Sequence, residues 1–371
     1  MKVLFLTNIP SPYRVDFFNE LGKQSELTVL YELERASDRD ERWKANKSNN
    51  FGEIFLRGKK VGTDSAICFS VLKYLKDKSY DIIVIGGYST PTGMLAIEFL
   101  KFIKRPFILN VDGGIIKNDS KLKYRIKKHF IKSASYWLST GRNTTNYLLN
   151  YGAKEEKIFV YPFTSIKQSD ILKSILSKEE KKEIKYKLGI KEEKVVISVG
   201  QFIHRKGYDV LLKSCKNIDD KIGVYIIGGK PTDEYLKLKE ELNLTNVYFI
   251  DFKTKEEIKE YYKAADLFVL PTREDIWGLV INEAMACGLP VITTNKCVAG
   301  KELINDKENG FIVPIENKLA IVDAINNIIS NNDKARKISK NNIEKIKGYT
   351  IEQMAKEHIQ IFNKIQGYSR R

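Results

Sequence analysis

The feature that most restricts this chain is a repeated switch between short, continuous apolar runs and helix-length segments. In the first half the runs are Val3–Thr7, Leu27–Tyr31, Asp81–Ile85, Phe107–Val111, Tyr136–Ser139 and Ile158–Tyr161. Helical patterns separate most of them, as at Pro91–Lys104, where Met94, Leu95, Ile97, Phe99 and Leu100 are apolar. Continuous apolar strands alternating with helices call for a parallel sheet covered on both faces. The alternation stops at Lys178–Lys194 (KEEKKEIKYKLGIKEEK), a charged stretch without a buried strand. It restarts with Val195–Val199, Gly223–Ile227, Val247–Ile250, Leu267–Leu270, Val291–Thr293 and Phe311–Val313.

Two successive Rossmann-like α/β domains facing across a cleft are the simplest architecture. The expected boundaries are 1–164, 165–348 and a closing segment, 349–371, that returns toward the N-terminal domain. That segment has apolar residues at Ile351, Met354, Ile359, Ile361, Phe362 and Ile365 and no following strand, so it reads as a helix. Asp333–Lys347 is polar and lysine-rich and is expected to be an exposed helix. In open α/β sheets ligands bind beyond the carboxyl ends of the strands, so the chemistry is sought in the loops that follow the apolar runs.

With 371 residues, of which 43% are hydrophobic, each half can bury a core. The net charge of +16 attracts an anion, whether nucleic acid, anionic lipid or a phosphorylated ligand. The four cysteines form no CxxC pair and no Cys/His cluster, which fits a reducing compartment and gives no metal site. The apolar run Val3–Leu6 is too short for a signal peptide, and no stretch is long enough to span a bilayer. A cytoplasmic protein is expected, at most peripheral on the inner face of the membrane.

The richest segment is Pro271–Thr293, PTREDIWGLVINEAMACGLPVIT, directly after the run Leu267–Leu270. Trp277, Gly278 and Leu279 stand where a loop becomes a helix that stops at Gly288 with Pro290 beyond. A helix start offers N–H groups and a favourable dipole to an anion, and Gly278 lets backbone approach a phosphate. Glu283 lies one turn along the same face as Leu279; a carboxylate there suits hydroxyls, such as those of a ribose, better than phosphate. Asp275, in the loop, suits sugar hydroxyls. The plain alternative is a solvated acidic loop ahead of an ordinary helix. A second element, Val195–Gly207 (VVISVGQFIHRKG), ends a strand at Gly200 and presents Arg205 and Lys206 before Gly207, a reasonable diphosphate clamp. Gly228-Gly229 ends the next strand and could admit a nucleobase or ribose.

Taken together, these elements resemble the retaining glycosyltransferase family 4, of GT-B fold and polysaccharide-biosynthesis type. The resemblance rests on VGQFIHRKGYDVLL (Val199–Leu212), YYKAADLFVLPTREDIWGLVINEAMACGLPVI (Tyr261–Ile292) and NGFIVP (Asn309–Pro314). It implies that Lys206, with Arg205, binds the donor phosphates. Asp275, with Glu274 beside it, would hold the donor sugar and Glu283 the ribose. The backbone of Ile276, Trp277, Gly278 and Leu279 would hold the diphosphate, with Gly200 and Gly228 lining the donor site. Two departures stand out: Gln201 replaces the family's usual basic residue after the strand glycine, and the first acid of the pair is Asp275 rather than Glu. No cofactor and no metal are expected, because a helix tip and two cations can neutralise the leaving diphosphate. Asp38-Arg39-Asp40 has a metal-binding D-x-D form but sits in a polar loop after no suitable strand, and reads as solvated surface.

The N-terminal half is expected to read the acceptor, a glycan or lipid-linked hydroxyl. Pro12, Tyr13 and Arg14 follow the first strand, Gly87 and Tyr88 follow another, and all should line the cleft. Asp112, after Phe107–Val111, stands about where the family has a catalytic-region His; a turn Asp bonding its own backbone is the alternative. The absence of GxGxxG argues against a dinucleotide oxidoreductase. Lys121–Lys132 (KLKYRIKKHFIK) has no acid, and Leu122, Ile126 and Phe130 form an apolar stripe flanked by cations. That is the form of a helix resting on an anionic membrane; a helix packed on the sheet with a basic outer face is the plain reading. Two rival functions are a nucleotide-sugar epimerase of the same architecture and a basic nucleic-acid-binding protein. The second lacks a recognition motif, and no nucleic-acid partner is expected.

Overall fold

The computed structural model describes residues 1–369. The chain divides into two compact units, one formed by Met1–Ser165 together with the segment from Thr350 onward, the other by Ile166–Tyr349.

The first unit is built on a seven-stranded sheet. From edge to edge its strands are Gly52–Phe55, Glu26–Tyr31, Lys2–Thr7, Ile82–Ile85, Ile108–Val111, Tyr136–Ser139 and Ile158–Val160. All are parallel, with Val3 opposite both Leu27 and Ile82. The wholly apolar runs are buried because helices cover them, as the absence of polar alternation requires. Gly52–Phe55 is an additional strand that no apolar run announces. It is an edge strand, largely exposed, and its place follows from pairing with Thr28–Tyr31 rather than from its own composition.

Helix Pro12–Gly22 begins with Ser11 extended at the N-cap and Pro12 at the first position, where a missing N–H costs nothing. It buries Val15, Phe17, Phe18 and Leu21. Helix Ile351–Ser369 packs against it, with the His358 ring 4.7 Å from Phe17 and 4.5 Å from Tyr161. Helix Lys121–Lys132 is capped by Ser120 and is buried only at Ile131; Leu122 and Ile126 are 69% and 43% exposed. Among the described residues, no helix is long and apolar enough to cross a membrane.

The second unit holds a six-stranded parallel sheet in the order Val247–Ile250, Ile222–Ile227, Lys194–Val199, Leu267–Leu270, Val291–Thr294, Gly310–Val313. Its charged entrance, Lys178–Leu188, is a helix with a Ser177/Glu180 capping box and a left-handed Gly189 at its end. Asn332–Ile346 differs from the expected exposed helix. Ile338, Ile343 and Ile346 are buried on one side, and the fully buried Asn342 donates to the Leu289 carbonyl at 2.7 Å. Lysines between these positions mask an apolar face of ordinary helical spacing.

In both sheets the chain winds outward from a first, central strand and then crosses to its other side. The reversal falls between Lys2–Thr7 and Ile82–Ile85 in one unit, and between Lys194–Val199 and Leu267–Leu270 in the other. Loops leaving adjacent strands at such a point diverge and leave a crevice.

Candidate active site

In the second unit that reversal places the loop after Lys194–Val199 beside the loop after Leu267–Leu270. Close backbone packing makes this possible. A Cβ at Gly228 would lie 1.7 Å from the Gly200 carbonyl oxygen, and one at Gly207 would lie 2.2 Å from that of Pro271. Gly207 also has φ +70, the left-handed region, and turns the short helix His204–Lys206 into helix Tyr208–Cys215.

The two loops are stitched through one carbonyl. The Arg205 oxygen accepts from the Arg273 N–H at 2.8 Å and from the Thr272 hydroxyl at 2.9 Å. Arg273 grips Asp209 with two parallel hydrogen bonds of 2.8 Å and also meets Glu316. Burial raises the Asp209 pKa, but the hydrogen bonds and charge of Arg273 outweigh it and hold the carboxyl below its ordinary value. Neither Arg273 nor Asp209 is distinguishable in sequence from surface charge; their roles come from a fork and a carboxylate meeting across two loops.

This stitching brings Arg205 and Lys206 to Asp275. The Lys206 ammonium donates to the Asp275 carboxylate at 2.6 Å, with the two side chains 12% and 10% exposed. Arg205 lies 3.5 Å from the other carboxylate oxygen and donates to the Glu274 carbonyl at 2.9 Å. Asp275 is itself fixed, its N–H donating to the Lys296 carbonyl and its own carbonyl accepting from the Val298 N–H, each at 3.0 Å.

Gly278, with φ +101, caps helix Leu279–Ala286, and a Cβ there would meet the Cys297 sulfur at 2.8 Å. The first turn closes on its carbonyl through the Ile281 N–H, and N–H groups at a helix start have no partner within the helix. Trp277 is a buried anchor whose indole N–H donates to Asn282 at 3.0 Å, so only its backbone could face a ligand. Ile276 is 53% exposed. Glu283 lies further along, accepting from the Tyr262 hydroxyl at 3.3 Å beside a small cavity lined by Asp170, Lys255 and Lys259. Burial, and then the Glu283 charge, drive the Tyr262 pKa well up, so Tyr262 acts as a donor.

In the first unit the expected residues are differently disposed. Arg14 is 2% exposed and forms an ion pair with Asp112 among the rings of Phe5, Tyr13 and Phe163. Burial works against its charge, but Asp112 more than offsets this and keeps it protonated. Asp112 also accepts from Asn110 at 2.7 Å and from Tyr161 at 3.0 Å, so its partners here are side chains, not its own backbone. Pro12 starts the helix, Tyr88 bonds Tyr147 through their hydroxyls, and a Cβ at Gly87 would meet nothing within 4 Å. In the D-x-D segment, Arg42 grips Asp40 with two bonds of 2.9 and 3.0 Å, and Asp38 lies 3.9 Å from Arg39. Among the described residues, no group of three or more His, Cys, Asp or Glu side chains is placed to hold a metal ion.

Known proteins share this organisation. Residues 180–345 match the family model of group 1 glycosyl transferases. An N,N'-diacetylbacillosaminyl-diphospho-undecaprenol alpha-1,3-N-acetylgalactosaminyltransferase from Campylobacter jejuni is 22% identical over 313 residues, 80% of each chain. A capsular polysaccharide biosynthesis glycosyltransferase of Staphylococcus aureus is 29% identical over 56% of this chain and 55% of its own. Among solved structures, a sucrose-phosphate synthase from Thermosynechococcus elongatus superposes with a TM-score of 0.78 at 17% identity, covering 99% of this chain and 100% of its own. An Anabaena protein, HepE, in complex with UDP superposes at 0.76 and 18%, covering all of both chains. The fold is therefore GT-B, and residues 180–345 are similar to the group 1 glycosyl transferases.

Proposed function

We propose that this glycosyltransferase moves a sugar from a UDP- or GDP-linked donor to a hydroxyl of a glycan or lipid-linked acceptor in surface polysaccharide or glycolipid synthesis. Transfer proceeds with retention and without a metal. The observation that carries the reading is the meeting of Arg205, Lys206 and Asp275 beside the helix that begins at Gly278. The donor pyrophosphate lies against the first-turn N–H groups of that helix, with Lys206 and Arg205 on its oxygens. Asp275 accepts from hydroxyls of the donor sugar, and Glu283 from the ribose. As the bond between anomeric carbon and phosphate oxygen breaks, charge grows on the diphosphate, and donors already aimed there lower the barrier. The acceptor oxygen bonds to the anomeric carbon and its proton leaves with the diphosphate. The two cations and the helix tip supply the positive charge that such departure needs, and retention follows from the family resemblance.

The UDP complex of the Anabaena protein and the diphospho-undecaprenol named for the Campylobacter enzyme support the donor and acceptor classes. For a lipid-borne acceptor, helix Lys121–Lys132 offers a surface: exposed Leu122 and Ile126 among cations, with Phe102, 83% exposed, ending a neighbouring helix tied to it by His129 and Glu98. We assign it to adsorption on the inner face of the cell membrane. A thermal-shift panel of UDP, GDP, ADP and their sugars tests the donor, because a ligand that binds only the folded protein raises its stability according to affinity. No stabilisation by any nucleotide would sink the reading. Conversion of donor without acceptor would favour the epimerase instead, and loss of activity on chelation would remove metal independence.

A further inference from the structure

Charge is shared unequally among the cations of the second unit's loops. Arg205 and Lys206 both face the single carboxylate of Asp275, whereas Arg273 faces two, Asp209 and Glu316. A guanidinium carries five N–H donors, and Arg273 spends all of them inside the protein. Nη1 donates to Asp209 at 2.8 Å and to the His204 carbonyl at 2.7 Å. Nη2 donates to the other Asp209 oxygen at 2.8 Å and to Glu316 at 3.2 Å, and Nε donates to the remaining Glu316 oxygen. Arg273 thus has neither a free donor nor uncompensated charge to offer a phosphate.

What it holds is the segment that does. His204 opens the short helix His204–Lys206, and its carbonyl already accepts from the Gly207 N–H at 3.1 Å. The Arg273 side chain takes the second lone pair of that oxygen, while Asp209 fixes the chain just beyond Gly207. Lys206 is therefore braced on both sides, before and after the turn at Gly207. Glu316, after strand Gly310–Val313, completes the fork from a third loop. Its φ of +60 lies in the left-handed region, where glycine is at ease and glutamate is not. Its carboxylate meets Arg273 from that unfavourable backbone, and contacts of this kind are what sustain such a conformation.

We infer that Arg273, clamped by Asp209 and Glu316, is a positioning residue of the donor site: it sets Lys206 on the donor diphosphate without touching the diphosphate itself. This rests on the transferase reading given above and adds to it a residue that acts through Lys206. A lysine cannot replace it, because an ammonium lacks the planar fork that meets two carboxylates and a carbonyl at once.

A double-mutant cycle on nucleotide affinity tests the inference, with UDP and GDP titrated into full-length protein by calorimetry. Arg273→Ala should weaken binding about tenfold, the lower end for one charge-assisted bond lost through misplacement. In a Lys206→Ala background the same change should cost less than about threefold, because contacts that act as a unit are not additive. Equal losses in both backgrounds overturn the inference, since simple repulsion from the stranded Asp209 and Glu316 would persist without Lys206. Arg273→Lys should bind like Arg273→Ala, and wild-type affinity in Arg273→Lys also overturns it. Glu316→Gly, which suits the left-handed backbone, keeps the loop and guards against misfolding of the Arg273 variants; it should weaken binding in the same sense, and unchanged affinity there removes Glu316 from the clamp. In transfer assays the donor KM should rise while the acceptor KM stays, whereas a merely structural loss would lower kcat through a smaller active fraction at unchanged KM. If the unmodified protein binds no nucleotide, the transferase reading fails, and acylation of the Lys206 amine still tests the clamp. Arg273→Ala should speed that labelling severalfold, and an unchanged rate overturns the inference.

Discussion

Each unit carries an ion pair that spans the reversal of its sheet, and the two differ in kind. In both, a cation follows the first strand of its sheet and a carboxylate follows a strand across the reversal: Arg14 with Asp112, and Lys206 with Asp275. Arg14 is a planar fork enclosed by three aromatic rings, and its carboxylate has two further donors. Lys206 is a point charge at a loop tip, beside a glycine and a helix start. The first pair is locked. The second can exchange its partner, because an ammonium with three donors can keep Asp275 and take a phosphate oxygen as well. A similar layout thus holds a unit together in one case and, in the function proposed, holds a ligand in the other.

Arg14→Ala is the strongest way to break this comparison. It strands a largely buried carboxylate, and losses of about 3–5 kcal/mol are typical of such a cut. Urea unfolding of the N-terminal unit measures it, and a loss below about 1 kcal/mol, the range of exposed pairs, would make the two pairs equivalent. His358, which shares this core, adds a pH dependence. Burial depresses its pKa to about 4 from 6.5. The unfolded chain therefore binds a proton that the folded one refuses between these values. Stability is full above pH 6.5 and falls as pH drops toward 4, by about 3 kcal/mol at the limit. Unfolding followed from pH 7 to 4 should show that slope, and His358→Phe should flatten it.

Lys206→Ala sharpens the contrast from the other side. It should weaken UDP or GDP binding by roughly 1.5–3 kcal/mol, the worth of a charge-assisted bond, measured by calorimetry, while leaving the N-terminal unit's unfolding unchanged. Equal nucleotide affinity would show that the second pair is as locked as the first. The smallest effect is at Lys121–Lys132, where each lysine replaced by glutamate should lower sedimentation with anionic vesicles at low salt by about 1 kcal/mol or somewhat more. Unchanged sedimentation would return that helix to plain surface.

What could be read in advance follows a simple division. Both parallel sheets were legible because a strand buried on two faces must be continuously apolar, as Val3–Thr7 and Leu267–Leu270 are. Gly52–Phe55 was not, because an exposed edge strand needs only a partner. The buried side of Asn332–Ile346 was hidden by its lysines. In the second unit the glycines and the RK–ED pattern mark the candidate site in the sequence, since close backbone approach and charge leave marks in local sequence. Arg14 and Asp112 carry no such mark. Whether an arginine after a strand faces ligand or core depends on rings contributed from elsewhere, Phe5 and Phe163 among them.

The C-terminal helix has a consequence for synthesis. Helix Ile351–Ser369 belongs to the unit that contains Met1–Ser165, so of the two units the one begun earlier is completed later. Ile166–Tyr349 has all its strands once Tyr349 is free of the exit tunnel, whereas the apolar side of Pro12–Gly22 still awaits His358 and its helix, which are made later. During that interval nascent chains expose Phe17 to aggregation and to chaperones. A premature stop before Ile351 would therefore cripple the earliest-made half while sparing the later one.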